Sequence, residues 1–181
     1  MERYGDFIIT CTKQKFYPLD PRPNEVNWLD ITHALSNICR FTGHCSEFYS
    51  VAQHSVLVSE IVPPECALAG LLHDAAEAYI CDLAKPVKEN PIFDSYRAVE
   101  KRIQEVIFQA AGIDLEIPPI VKDADITMLR TEARDLELIT PEWGIYDLRP
   151  LPMKIIPWSP KDARRRFAER FDSLYFFGKA K

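Results

Sequence analysis

No apolar run in this chain approaches the ~18 residues that suggest a membrane span. The opening stretch, MERYGDFIITCTKQKF, scatters charges where a secretory leader would carry an uninterrupted apolar core. Internal repeats and low-complexity segments are missing, which excludes solenoid and linker architectures and leaves a single domain over residues 1–181 as the expectation. No basic stripe interleaved with aromatics appears, and the formal net charge is -5, so nucleic acid and anionic membranes are not expected partners. Any anionic ligand would need local help from metal ions or a few placed Lys and Arg. Five cysteines (Cys11, Cys39, Cys45, Cys66, Cys81) cannot all pair. The Cys39…His44-Cys45 cluster lacks a second ligand pair at zinc-site spacing, so the thiols are read as packing groups of a reduced, cytoplasmic protein.

What the chain does have is a succession of helical patterns separated by fourteen prolines. Residues 7–17, rich in β-branched and aromatic side chains, suggest a short hairpin. A proline-rich loop follows, and Asn27 is placed to cap a helix running over residues 28–40. Ser50 starts a second helix over 51–61. The third, 64–79, is apolar on nearly all sides and reads as the central buried helix. An amphipathic fourth over 94–112 is closed by Gly112. The fifth, 118–138, has a proline pair at its first turn, and a loop around Trp143 leads to the sixth, 159–177, capped by Ser159. Six helices with at most a small hairpin predict a compact all-α helical bundle.

Four side chains place metal-binding groups inside these apolar helices. His54 lies among Val51, Leu57, Val58 and Ile61, and His73-Asp74 interrupts the run Ala67–Leu72. Asp125 sits near Ile126, Met128 and Leu129. Each alone has an ordinary reading: a satisfied core histidine, a chance His-Asp pair, an Asp bound to Lys122 or Arg130. Together, two imidazoles and two carboxylates on successive helices suit Zn²⁺, Mn²⁺, Co²⁺ or Fe²⁺ and nearly neutralise a divalent ion. Glu77 lies four residues after His73 and three after Asp74, on the same helical face.

The order His…His-Asp…Asp is the HD signature, and the surrounding residues extend it. The segments FYSVAQHSVLV, HDAAEAYICDLAKPVK and VKDADITML resemble those of the HD-domain metal-dependent phosphohydrolases, in particular the phage dATP triphosphohydrolases and the bacterial 5'-deoxynucleotidases. The resemblance covers residues about 49–135. It implies one metal held by His54, His73, Asp74 and Asp125, with Glu77 as general acid/base. Asp82 matches a second family carboxylate, placed to bind a further Mg²⁺ carried in by phosphates or to orient the attacking water. The relatives carry an arginine about one helical segment before the first histidine, a place taken here by Arg40, expected to grip phosphate. Lys85 and Lys88 are the next phosphate candidates. Phe41 stands where family members often have a tryptophan near the nucleoside, and His44 is a further candidate contact. The Arg164-Arg165-Arg166 run reads as a solvated helix face, and His33 as structural.

The implied reaction is hydrolysis of a deoxynucleotide, foremost dATP to deoxynucleoside and triphosphate. A 5'-deoxynucleotidase acting on dNMP is the alternative, followed by a cyclic-nucleotide phosphodiesterase and a non-catalytic nucleotide-sensing module. The protein is expected to be a homo-oligomer, in the host bacterial cytoplasm if encoded by a phage.

Overall fold

Three helices of this chain begin where a short polar side chain takes up a free amide of the first turn. A computed structural model describes residues 3–140, 142–143 and 149–177. A two-stranded antiparallel hairpin comes first, β1 (Ile8–Ile9) and β2 (Lys15–Phe16), with Ile8 opposite Phe16. The Asn27 side chain then accepts from the Leu29 amide and opens α1, Trp28–Asn37. Ser50 accepts from Gln53 at the start of α2, Val51–Ile61. Next come α3 (Ala67–Leu72), α4 (Glu77–Ile80) and α5 (Lys85–Lys88). The long α6, Asp94–Ala111, ends on Gly112, whose φ of 69° is the left-handed conformation that closes a helix. Pro119 starts α7, Pro119–Asp135, at the position where a missing amide costs nothing. Ser159 caps α8, Pro160–Asp172, which runs on into a π-turn, Ser173–Phe177. The chain is thus all-α apart from its hairpin, as expected. Part of the loop expected around Trp143, residues 141 and 144–148, lies outside the described residues.

Three local expectations are corrected. The first helix stops at Asn37 rather than Arg40, because residues 38–40 run extended and pair with residues 49–51. The Arg40 amide donates to the Tyr49 carbonyl (2.8 Å) and the Val51 amide to that of Ile38 (3.1 Å). The third helix is not continuous: it is broken between Leu72 and Glu77. Finally, α2 rather than α3 is the central helix, since every residue from Val51 to Ser59 is buried.

Two apolar clusters flank α2. One joins Phe16, Ile31, Leu35, Leu71, Leu72, Ile103, Ile107, Phe108 and Phe167; the other joins Tyr49, Leu57, Val58, Val121, Met128 and Ile155. Each fully buried Leu, Ile or Phe contributes about 1.5–3 kcal/mol of transfer free energy, so the packing that positions α2 is well supported. Gly70 lets α3 cross α2 closely: a Cβ there would lie 3.2 Å from the Ser59 Cα. No helix among the described residues is long and apolar enough to cross a membrane.

Asp30 ties the hairpin turn to α1. It accepts from the Thr12 amide and hydroxyl (both 2.8 Å) and from the Cys11 thiol (3.0 Å). Burial opposes ionisation, but these donors outweigh it and hold the carboxyl below its usual range. Replacing Asp30 by Asn, which turns charge-assisted bonds into neutral ones, should cost about 1 kcal/mol near neutral pH. A depressed carboxyl stabilises above its unfolded value of about 3.9 and loses that contribution as pH falls through the folded one. Denaturant titrations should therefore show wild type and Asp30→Asn converging below about pH 4; a constant gap across pH would refute the assignment.

Candidate metal centre and adjoining cleft

The break between α3 and α4 positions the His-Asp pair. Residues 73–76 keep helical dihedrals at both ends of the break, but hydrogen bonds tighten to three-residue spacing. Ala75 donates to Leu72, Glu77 to Asp74 and Tyr79 to Ala76, over 3.0–3.1 Å. The side chain of Gln104, from α6, inserts into the interrupted ladder. Its Oε1 accepts from the Ala76 amide (3.1 Å) and its Nε2 donates to the Leu72 carbonyl (2.7 Å). In an uninterrupted α-helix those two backbone groups would bond each other. The inserted carboxamide holds the turn that carries His73 and Asp74.

His54 from α2 and His73 and Asp74 from this turn come together, and Asp125 from α7 lies against the two histidines. The two Nε2 atoms are 3.3 Å apart. Asp74 Oδ2 lies 3.2 Å from His73 Nε2 and 3.7 Å from His54 Nε2. Asp125 Oδ1 lies 3.1 Å from His54 Nε2 and 3.9 Å from His73 Nε2. Donors about 2.1 Å from a shared ion lie about 3.0 Å apart in octahedral and about 3.4 Å apart in tetrahedral geometry, so the spacings within the His54, His73 and Asp74 group are those a cation could bridge. His54, His73 and Asp74 present one ligand atom each within 4.8 Å of one another.

Both imidazoles turn the correct edge inward. His73 Nδ1 is 2.8 Å from the Gly70 carbonyl, which can only accept, so Nδ1 carries a proton and, in the neutral ring, Nε2 carries the lone pair. His54 Nδ1 is 2.6 Å from Glu132 Oε1. Burial and Arg40 oppose protonation of His54, but Glu132 and Asp125 outweigh them and push it up to about 9. Burial likewise works against the Asp74 anion, yet the two histidines and Arg40 hold it well below the usual carboxylate range.

Around the four donors, Glu77 is 4% exposed and its Oε2 has no hydrogen-bond partner. Burial, then the charges of Asp74 and Asp82, push its carboxyl well above the ordinary value. Asp82 is half-buried, and burial raises it too. A φ of 68° at Cys81 turns the chain sharply just before it. Arg40, 8% exposed, places Nη1 3.6 Å from Asp74 Oδ2 and Nε 3.2 Å from Glu132 Oε2.

A cleft of about 690 Å³ opens from His73, Asp74 and Glu77 along α6 to Ile117 and Lys122. Of the expected phosphate contacts, Lys88 lines it, ion-paired with Glu100 at 2.9 Å. Arg40 does not line it. Lys85 is outside as well, exposed and 3.6 Å from Glu89, because one turn of α5 puts it on the solvent side. Phe41 packs edge-on against Trp143, and His44 is exposed. Phe41 and Thr42 both carry φ of 55°, and Gly43 follows at 79°, so this turn is strained before it reaches His44. Cys39 and Cys45 bracket the turn with Sγ atoms 3.6 Å apart. His33 faces Arg164, and Arg165 pairs with Asp162 and Glu169, as expected of a solvated face.

Glu132, Tyr49 and Gln104 escaped the sequence reading, as did the cleft residues Arg97, Lys101 and Lys122. For Glu132 a signal existed: it follows Asp125 by seven residues, two helical turns on one face.

No protein-family model matches the chain. Over 171 residues it is 41% identical to "Uncharacterized protein YfdR" of Escherichia coli (strain K12), covering 93% of this chain and 95% of that protein. Over 131 residues it is 34% identical to an uncharacterized protein of Rhodobacter capsulatus, covering 65% of this chain and 66% of that one. With such identity along nearly the whole of both chains, this protein belongs to the same family as the Escherichia coli protein YfdR.

Proposed function

We propose that the protein is an HD-type metal-dependent phosphohydrolase acting on deoxynucleotides, with His54, His73, Asp74 and Asp125 as the ligands of one divalent ion. The observation that carries this reading is the convergence of two Nε2 atoms and two carboxylates across 3.1–3.9 Å, at the inner end of a nucleotide-sized cleft. A divalent ion held there would supply Lewis-acid polarisation of a phosphoryl oxygen and make bound water far more acidic. The chain's own groups do the rest. Glu77, whose burial and acidic neighbours favour its protonated form, is suited to give a proton to the departing 5'-oxygen. Asp82 stands ready to orient water or to receive Mg²⁺ accompanying the phosphates. Lys88, Arg97, Lys101 and Lys122 line the path a phosphate chain would take.

The finer reading is a triphosphohydrolase releasing deoxynucleoside and triphosphate from dATP. One observation favours the monophosphate alternative. The cleft cations Lys88, Arg97 and Lys101 are paired with Glu100, Asp94 and Glu105, which leaves Lys122 as the one without an ion pair among the described residues. Phosphorus NMR of reactions with Zn²⁺, Co²⁺, Mn²⁺ and Mg²⁺ separates these. Triphosphate from dATP is the expected product. Orthophosphate from dAMP with dATP untouched would identify a 5'-deoxynucleotidase, and inertness towards both, with every metal, would overturn the phosphohydrolase reading.

A further inference from the structure

Glu132 is fully buried, and burying a carboxylate is costly enough that an apolar residue of similar size would serve a purely structural core better. Its two oxygens face different groups. Oε1 accepts from His54 Nδ1 (2.6 Å) and from the Tyr49 hydroxyl (2.8 Å). Oε2 faces Arg40 Nε at 3.2 Å, an ion pair rather than an aligned hydrogen bond. The same guanidinium reaches towards Asp74 with its other edge, Nη1 to Oδ2 at 3.6 Å.

We propose that Glu132 is a positioning residue of the metal centre: through Oε1 it holds His54 in the tautomer that presents Nε2, and through Oε2 it holds Arg40 back from Asp74. The role rests on the metal reading above. A carboxylate on Nδ1 orients the ring and makes Nε2 a stronger donor. Arg40 counters the surplus of carboxylates, but if it closed on Asp74 it would compete with the ion for Oδ2. Glu132 gives that charge a second partner. One buried side chain therefore governs two of the four ligands, from α7, the helix that also carries Asp125.

Cobalt(II) titration of the full-length protein, followed by the d–d absorption of the bound ion, tests this without any assay of hydrolysis. Glu132→Gln keeps the shape and removes the charge; cobalt affinity should fall about 10–100-fold, with a shifted absorption band. Tyr49→Phe removes a hydrogen bond of the same buried network but leaves the Glu132–His54 pair. It should lower thermal stability while keeping cobalt affinity within a few-fold of wild type. If Glu132→Gln does not yield folded protein, Glu132→Asp, with its charge kept and its reach shortened, should weaken cobalt binding in the same direction. Wild-type affinity in the Glu132 variant, or equal losses in the Glu132 and Tyr49 variants, overturns the positioning role and leaves the metal site standing. A wild-type protein that takes up no cobalt overturns the metal reading and this role with it.

Discussion

Glu77→Ala is expected to bind metal as wild type does and to hydrolyse its substrate about 10²–10⁴-fold more slowly. The side chain belongs to α4, just beyond the turn that carries His73 and Asp74, so its carboxyl lines the cleft beside the proposed ligands. Its Oε2 has no protein partner, an arrangement that is costly unless a ligand completes it. Burial and the neighbouring charges of Asp74 and Asp82 favour the protonated form, which is the form that can donate to a leaving oxygen. Truncation removes the proton donor and also relieves a buried carboxyl of its cost, so stability should be unchanged or slightly higher. Single-turnover rates combined with metal analysis measure both quantities. Near-normal turnover at full metal occupancy would make Glu77 an ordinary helix residue; loss of metal would make it a ligand.

Arg40→Ala should lower stability by about 3 kcal/mol, the low end for breaking a buried ion pair, because His54 and Tyr49 still hold Glu132. For a chain of this size that is a melting temperature lower by about 6–12 °C. The sequence pattern suggests a phosphate-gripping arginine, but the guanidinium is buried between Glu132 and Asp74 and does not line the cleft. Those two carboxylates, with burial opposing them, hold it firmly charged. Arg40→Lys restores a positive charge without the planar fork and should recover part of the loss. Differential scanning calorimetry of the three proteins decides between the roles. A wild-type melting temperature in Arg40→Ala, with turnover impaired, would return Arg40 to the substrate.

Most of the helices and the caps Asn27, Ser50, Ser159 and Gly112 were legible in the sequence, for a common reason. A Ser or Asn before a helical pattern, a Gly after one, and a polar side chain inside an apolar stripe are all local signals, set by neighbours within about two turns. His54, His73, Asp74 and Asp125 stand out because ionisable groups among Val, Leu and Ile are costly wherever the fold puts them. What only the tertiary structure decided depends on groups far apart in the chain. The third helix breaks at His73 because Gln104, 32 residues beyond Leu72, replaces a backbone bond there. Arg40 leaves its helix to pair with the strand-like residues before α2, and so reaches Glu132 rather than solvent. Lys85 and Lys88 have similar surroundings in sequence, yet one turn of α5 sends the first to water and the second to the cleft. Local chemistry names which side chains need a partner; the packing of α2 against α3 and α7 determines which partner each one meets.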